Sequence, residues 1–182
     1  MKLPFWVQDQ YDWGVKQRYM KEWRGWNEMI QIQPLSRHQD APMDLLLLAD
    51  PSKEKVLSYV QPGSCYVAFH EQDMIGVYVL SSLSQHTVEI MNVAVKETWQ
   101  GKGIGKQLIR HAISEAKTAG FHTIEIGTGN SSIHQLALYQ KCGFRLTSID
   151  HHFFLKHYDE PIFENGIQCM DMVRLSLVLQ AD

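Results

Sequence analysis

From residue 29 onward the hydrophobic positions fall into short runs whose period changes along the chain. "MIQIQPL" (29–35) alternates apolar and polar side chains, the period of a strand with one buried face, and Pro34 ends it. "MDLLLLAD" (43–50) and "KEKVLSYV" (53–60) predict two short helices, the second stopped by Pro62 and Gly63. The β-rich runs "SCYVAFH" (64–70) and "MIGVYVLSSL" (74–83) are joined by Glu71, Gln72 and Asp73, which predicts a hairpin. "TVEIMNVAV" (87–95) is apolar enough for the centre of a sheet. The period then lengthens. Leu108, Ile109, Ala112, Ile113 and Ala116 share one face of a helix, and Gly120 stands where a left-handed C-terminal cap belongs. "FHTIEIG" (121–127), "SSIHQLALYQKC" (131–142), "GFRLTSI" (143–149) and "QCMDMVRLSLVL" (168–179) predict strand, helix, strand and strand. The expected fold class is α/β, a mixed central sheet of about seven strands flanked by helices.

Residues 1–28 break this regularity. Trp6, Trp13, Trp23 and Trp26 are four of the chain's five tryptophans, and Tyr19, Trp23, Trp26 and Ile30 recur at helical spacing as one aromatic face. The expected division is an aromatic-rich extension over 1–28 and one domain over 29–182. That face either packs on the domain or anchors a partner or second subunit, since tryptophan and tyrosine suit both.

At 182 residues and 45% hydrophobic content the chain can bury the core of one domain but not of two full ones. A net charge of −3 and a pI near 6.3 exert no general pull on nucleic acid or an anionic membrane. The longest unbroken apolar run, 45–49, is far short of a membrane span. Pro4, Gln8 and Asp9 interrupt what would be the apolar core of a secretory signal. Cys65, Cys142 and Cys169 are odd in number and widely spaced, so they read as buried free thiols of a cytoplasmic protein. His151, His152 and His157 lie near Asp150, Asp159, Glu160 and Glu164, but no compact ligand pair is visible and no metal is expected.

Chemistry concentrates in "WQGKGIGKQL" (99–108), a glycine-rich turn between a strand and a helix, where backbone N–H groups can approach an anion. A P-loop would need glycine at 106, which is Lys106; a dinucleotide fingerprint would need it at 106 or 108. Both fail. What remains is Gln-x-x-Gly-x-Gly over 100–105. It resembles the acyl-CoA loop of the GNAT superfamily of N-acetyltransferases, Arg/Gln-x-x-Gly-x-Gly/Ala. The resemblance runs from Met29 to the C-terminus. "EIMNVAV" (89–95) precedes the loop, a helix follows it, and "LALYQKCGF" (136–144) is similar to the family's Leu-Tyr-x-Lys-x-Gly-Phe segment.

The resemblance implies an N-acetyltransferase that moves acetyl from acetyl-CoA to a primary amine by direct attack in a ternary complex, with no metal. Amides of Gly101, Lys102, Gly103, Ile104, Gly105 and Lys106 would cradle the pyrophosphate at the helix N-terminus, and Gln100 would close the turn. Backbone groups of Val93, Ala94 and Val95 would pair with pantetheine, the Val93 N–H also meeting the thioester carbonyl. Tyr139 matches the family's tyrosine beside the CoA sulfur, a candidate acid for the leaving thiolate unless it only packs its helix on the sheet. Where many members carry a cofactor-contacting Asn seven residues before that tyrosine, this chain has Ser132, with Asn130 two positions earlier, and the resemblance implies a cofactor contact from these two positions.

An alkylammonium of pKa about 10.4 is protonated at neutral pH, so a base is needed. Glu89, fourteen residues before Gly103, holds the place of a general-base glutamate in the histone-acetylating branch. Strand alternation predicts Glu89, Met91 and Val93 on one face, with the carboxylate along the acyl channel; otherwise Glu89 faces solvent. The acceptor is a small-molecule or peptide amine. Acidic residues between the last two strands either favour a cationic amine or face water, and analogy leaves room for a homodimer. The alternative is a non-catalytic acyl-CoA-binding regulatory module, which would keep the loop without needing Glu89 or Tyr139.

Overall fold

The computed structural model describes residues 30–36 and 40–179. In chain order these form β1 (Ile30–Pro34), α1 (Met43–Leu46), α2 (Lys53–Val60), β2 (Ser64–His70), β3 (Asp73–Ser82) and β4 (Thr87–Val95). There follow α3 (Ile104–Thr118), β5 (Thr123–Gly129), α4 (Ile133–Lys141), β6 (Arg145–Asp150), α5 (Phe153–His157), β7 (Ile162–Glu164), β8 (Ile167–Cys169) and β9 (Met172–Val178). A seven-stranded mixed sheet has the order β1-β2-β3-β4-β5-β9-β6. Its first four strands are an antiparallel meander, β4 and β5 are parallel, and β9 lies antiparallel between β5 and β6. β7 and β8 form a separate two-stranded ribbon.

Helices cover both faces because the strands are apolar on both. Ile104, Leu108, Ile109, Ala112 and Ala116 of α3 pack with Tyr139 of α4 on Val88, Ile90, Ile124 and Ile126. The opposite face holds Leu45 and Leu46 of α1 and Val56 and Tyr59 of α2, against Val67, Val77, Val79 and Ala94. Asn92, buried on β4, ties that layer down by donating to Leu46 O (3.0 Å) and to the Tyr59 hydroxyl (2.8 Å). At the end of α3, Gly120 has φ +83°, the left-handed cap that its spacing predicts.

Three expectations need correction. The helix over 43–50 stops at Leu46, because Pro51 disfavours helical backbone at Asp50; the chain tightens through Leu48 N–H to Leu45 O and Ala49 N–H to Leu46 O. The strand over 168–179 is two strands, β8 and β9, parted at Met170 and Asp171, and the ribbon and α5 before it went unpredicted. Ile30 belongs to β1 and is not part of a helical aromatic face. Tyr19 and the four tryptophans of 1–28 lie outside the described residues. Among the described residues no helix is long and apolar enough to cross a membrane, and no three His, Cys, Asp or Glu side chains gather as metal ligands.

Candidate active site

The sheet opens where the parallel ladder stops. β4 and β5 pair only from Thr87 with Thr123 to Ile90 with Ile126, although β4 continues to Val95 and β5 to Gly129. Past Ile90 the inner edge of β4 therefore has no strand beside it, and its backbone groups are available to a ligand. A cavity of about 550 Å³ fills the wedge, lined by Val93, Ala94, Val95, Gln100, Gly101, Gly103, Ile104, Gly105, Lys106, Leu138 and Tyr139.

The glycine turn has the backbone that its sequence requires. Gly101 (φ +74°) and Gly103 (φ +81°) are left-handed, and Gly103 is the N-cap from which α3 starts. Gln100 Nε2 donates to Val95 O at 3.0 Å, closing the turn on the end of β4. The first amides of α3 lack partners within the helix and stand at the positive end of its dipole, a ready receptor for pyrophosphate. Lys102 lines neither cavity of this site; its ammonium lies 4.6 Å from the centroid of the Trp99 ring.

A second cavity of about 380 Å³ adjoins the first and shares Leu48, Ala49, Val93, Gln135 and Tyr139 with it. Its other walls include Asp50, Phe154, Tyr158, Glu164, Cys169 and Met172. Tyr139 sits in the last turn of α4, where its carbonyl accepts from Cys142 and Phe144 as the chain turns through Gly143 (φ +103°). The side chain is 4% exposed, yet its hydroxyl makes no hydrogen bond among the described residues. Burial first, then the charge of Glu164, holds this phenol well above its ordinary value, so it is protonated at neutral pH.

Glu89 is not where alternation predicts. Val79 pairs with Asn92 and Leu80 with Ile90, which leaves Met91 as a bulge. The extra residue reverses the faces beyond it: Ile90 and Val93 pack toward α3, whereas Met91 and Ala94 pack toward α1 and α2. Glu89 thus lies on the face opposite to Val93 and lines neither cavity. Its Oε1 accepts from Arg174 Nη1 at 3.0 Å, and the side chain is 12% exposed. Burial raises its pKa above the ordinary 4.5; Arg174 opposes the shift and Glu125 adds to it.

A carboxyl whose pKa is raised by folding contributes stability that is lost as pH rises through the folded value. Glu89→Gln, neutral and still able to accept from Arg174, is expected to match the wild-type thermal midpoint near pH 4 and to equal or exceed it at pH 7. Turnover of the variant should follow the wild-type pH profile. A rate deficit that shrinks at high pH would return the base role to Glu89.

Asn130 and Ser132 are also placed differently from the expected cofactor contact. Asn130 Oδ1 accepts from the N–H groups of Met170 (2.8 Å) and Asp171 (3.0 Å), and Nδ2 donates to Gln168 O (3.1 Å). The side chain is a clamp on the β8–β9 connection. Ser132 lines the second cavity, and its Oγ donates to Glu164 Oε2 at 2.6 Å. Sequence reasoning missed Leu48, Ala49, Asp50, Gln135 and Tyr158 as cavity walls. The one local signal was Asp50-Pro51, a helix stop that turns the chain across the cleft.

An open parallel pair with an amide-lined turn at its mouth can take an extended ligand with an anionic group at one end. Residues 16–144 match the model of the acetyltransferase (GNAT) family, and the chain belongs to that family. It is 60% identical over 152 residues to the uncharacterized N-acetyltransferase YvbK of Bacillus subtilis, covering 84% of this chain and 98% of the relative. It is similar in structure to a GNAT family acetyltransferase from Elizabethkingia anophelis with acetyl-CoA bound (TM-score 0.82, 48% identical, 84% of this chain and 99% of the other). A Bacillus subtilis acetyltransferase in complex with CoA is similar too (TM-score 0.79, 60% identical, 83% of this chain and 99% of the other). The protein is an acyltransferase of the N-acetyltransferase type, and acetyl-CoA is its co-substrate.

Proposed function

We propose that this enzyme passes acetyl from acetyl-CoA to a primary amine by direct attack within a ternary complex, using a domain over 29–182 that follows the extension over 1–28. The observation that carries the reading is the junction of the two cavities at Val93 and Tyr139. A thioester lying along β4 and an amine entering from the second cavity would meet there, both present at once. The loop amides of Gly101 and Gly103 to Lys106 hold the pyrophosphate, and the freed edge at Val93, Ala94 and Val95 holds pantetheine.

A relay through an acyl-cysteine is disfavoured by the state of the one thiol that lines either cavity. Cys169 lines the second cavity, and burial pushes its pKa above the ordinary thiol range, so it is protonated and a weak nucleophile. Tyr139 is the proton donor to the departing sulfur. All three cysteines are free, and we place the enzyme in the reducing cytoplasm.

The test is release of free CoA thiol against a panel of primary amines. Release that depends on the amine, with initial-rate lines that intersect as both substrates are varied, is the expected result. Tight CoA binding without thiol release for any amine would instead make the chain a non-catalytic acyl-CoA-binding module.

A further inference from the structure

With Glu89 outside the cleft, the protonated acceptor still has to lose a proton before it can attack. Two carboxylates line the acceptor cavity, Asp50 and Glu164, and among the described residues no Lys, Arg or His lines it. They differ in what they touch. Asp50 Oδ1 accepts from the Ser52 N–H (3.0 Å) and the Tyr158 hydroxyl (3.1 Å), and its charge acts on Tyr158 and Tyr59. Glu164 ends β7 where Asn165 (φ 54°) and Gly166 (φ 73°) turn the chain into β8. Asn165 Nδ2 donates to Ser131 O at 2.8 Å, pinning this ribbon to the start of α4.

Only one hydrogen bond among the described residues engages the Glu164 carboxylate, the 2.6 Å contact from Ser132 Oγ. A carboxylate offers about four lone-pair sites, so Glu164, which lines the cavity, can accept further hydrogen bonds. The titratable groups that face it are Tyr139 from α4 and Cys169 from β8, both of which feel its charge; Asp50 and Tyr158 line the same cavity. Of the two carboxylates, Glu164 is therefore the one beside the phenol at the junction.

Resting on the transfer reaction proposed above, we propose that Glu164 is the catalytic base that takes the proton from the acceptor's ammonium group. Ser132 is its positioning residue. The proton passes from nitrogen to the carboxylate, and the freed lone pair attacks the thioester carbonyl carbon. The C–N bond forms as the carbonyl π pair moves to oxygen; when the carbonyl re-forms, the C–S bond breaks and its pair leaves on sulfur. Tyr139 gives its phenolic proton to that sulfur and takes in return the proton shed by the new amide nitrogen. Glu164 discharges its proton to water. Ammonium and thioester thus become amide, thiol and one proton. A cavity lined by two carboxylates and, among the described residues, by no cationic side chain also favours acceptors that arrive positively charged.

Propylamine, 1,4-diaminobutane and β-alanine serve as probes with wild type, Glu164→Gln, Glu164→Asp and Ser132→Ala. Glu164→Gln is expected to lower kcat on the order of 10²-fold at pH 7, the usual contribution of a positioned base. The deficit should shrink toward pH 10, where the amine loses its proton unaided. CoA affinity should be unchanged, Glu164→Asp should recover part of the rate, and β-alanine should be the poorest acceptor. A deficit constant with pH, one confined to KM, or none at all would overturn the assignment while leaving the transfer reaction in place. Should Glu164→Gln fail to fold, Ser132→Ala keeps the test open: it retains the carboxylate, and a rate equal to wild type would count against the pair. A wild type that releases thiol with none of the amines overturns both readings.

Discussion

Replacing Tyr139 by phenylalanine lowers kcat on the order of 10²-fold or more while CoA affinity stays near the wild-type value, the expected signature of a lost proton donor. The structure makes this substitution clean. The ring keeps its place, 4% exposed with its centroid 6.4 Å from that of Phe144, so packing is conserved. The hydroxyl has no hydrogen-bond partner among the described residues, so its removal strands nothing and stability should not fall. Because the phenol's pKa is raised above its ordinary value of 10.0, no basic limb below about pH 10 belongs to Tyr139 in the wild-type profile. Thiol-release kinetics and calorimetric titration with CoA check the two halves. Unchanged turnover would remove the acid role.

Gly103→Ala is expected to weaken CoA binding by about tenfold or more and to lower the thermal midpoint by a few degrees. Gly103 combines φ +81° with the N-cap position of α3. A residue with a Cβ costs roughly 1–2 kcal/mol in that conformation. The loop can relieve the strain only by reopening, which moves the amides of Ile104 to Lys106 off the anion they are meant to face. At roughly 2–4 °C per kcal/mol for a domain of this size, the unrelieved strain predicts a loss of about 2–8 °C. Gly120→Ala is the matched control, since it carries the same left-handed backbone (φ +83°) with nothing within 4 Å of an added Cβ, at the far end of α3 and outside both cavities. Equal affinity for CoA in both variants would mean that the loop does not bind through its backbone.

Much of the sheet is legible in the chain because local pattern and burial agree there. β2 matches its predicted run at both ends, and β3 lies within a residue of its own. The cofactor turn is legible for the same reason: Gly101 and Gly103 are needed by local backbone conformation, which a short sequence can encode. The β7–β8 hairpin also has a local mark, Asn165-Gly166 between "IFE" and "IQC", the strongest short hairpin signal. The bulge at Met91 left none. It exists because β3 and β4 differ by one residue between two fixed pairings, and that mismatch has no local signature. Glu89 was misplaced for this reason alone. Asn130 and Ser132 fail differently: their partners, at Gln168 to Asp171 and at Glu164, are more than thirty residues away, beyond the reach of local pattern.

The small ribbon separates two things that an enzyme must inherit. The turn that meets the donor is built on the β4–α3 connection and closed by Gln100 on Val95. Part of the wall of the second cavity hangs on β7 and β8, fastened through Asn165, Ser132 and Asn130. Ile162 and Phe163, which line the second cavity, stand on a different element from the glycine turn, so a substitution there need not disturb that turn. On the proposed reading, editing this hairpin alters which amine is accepted and leaves the acetyl-CoA turn as it is.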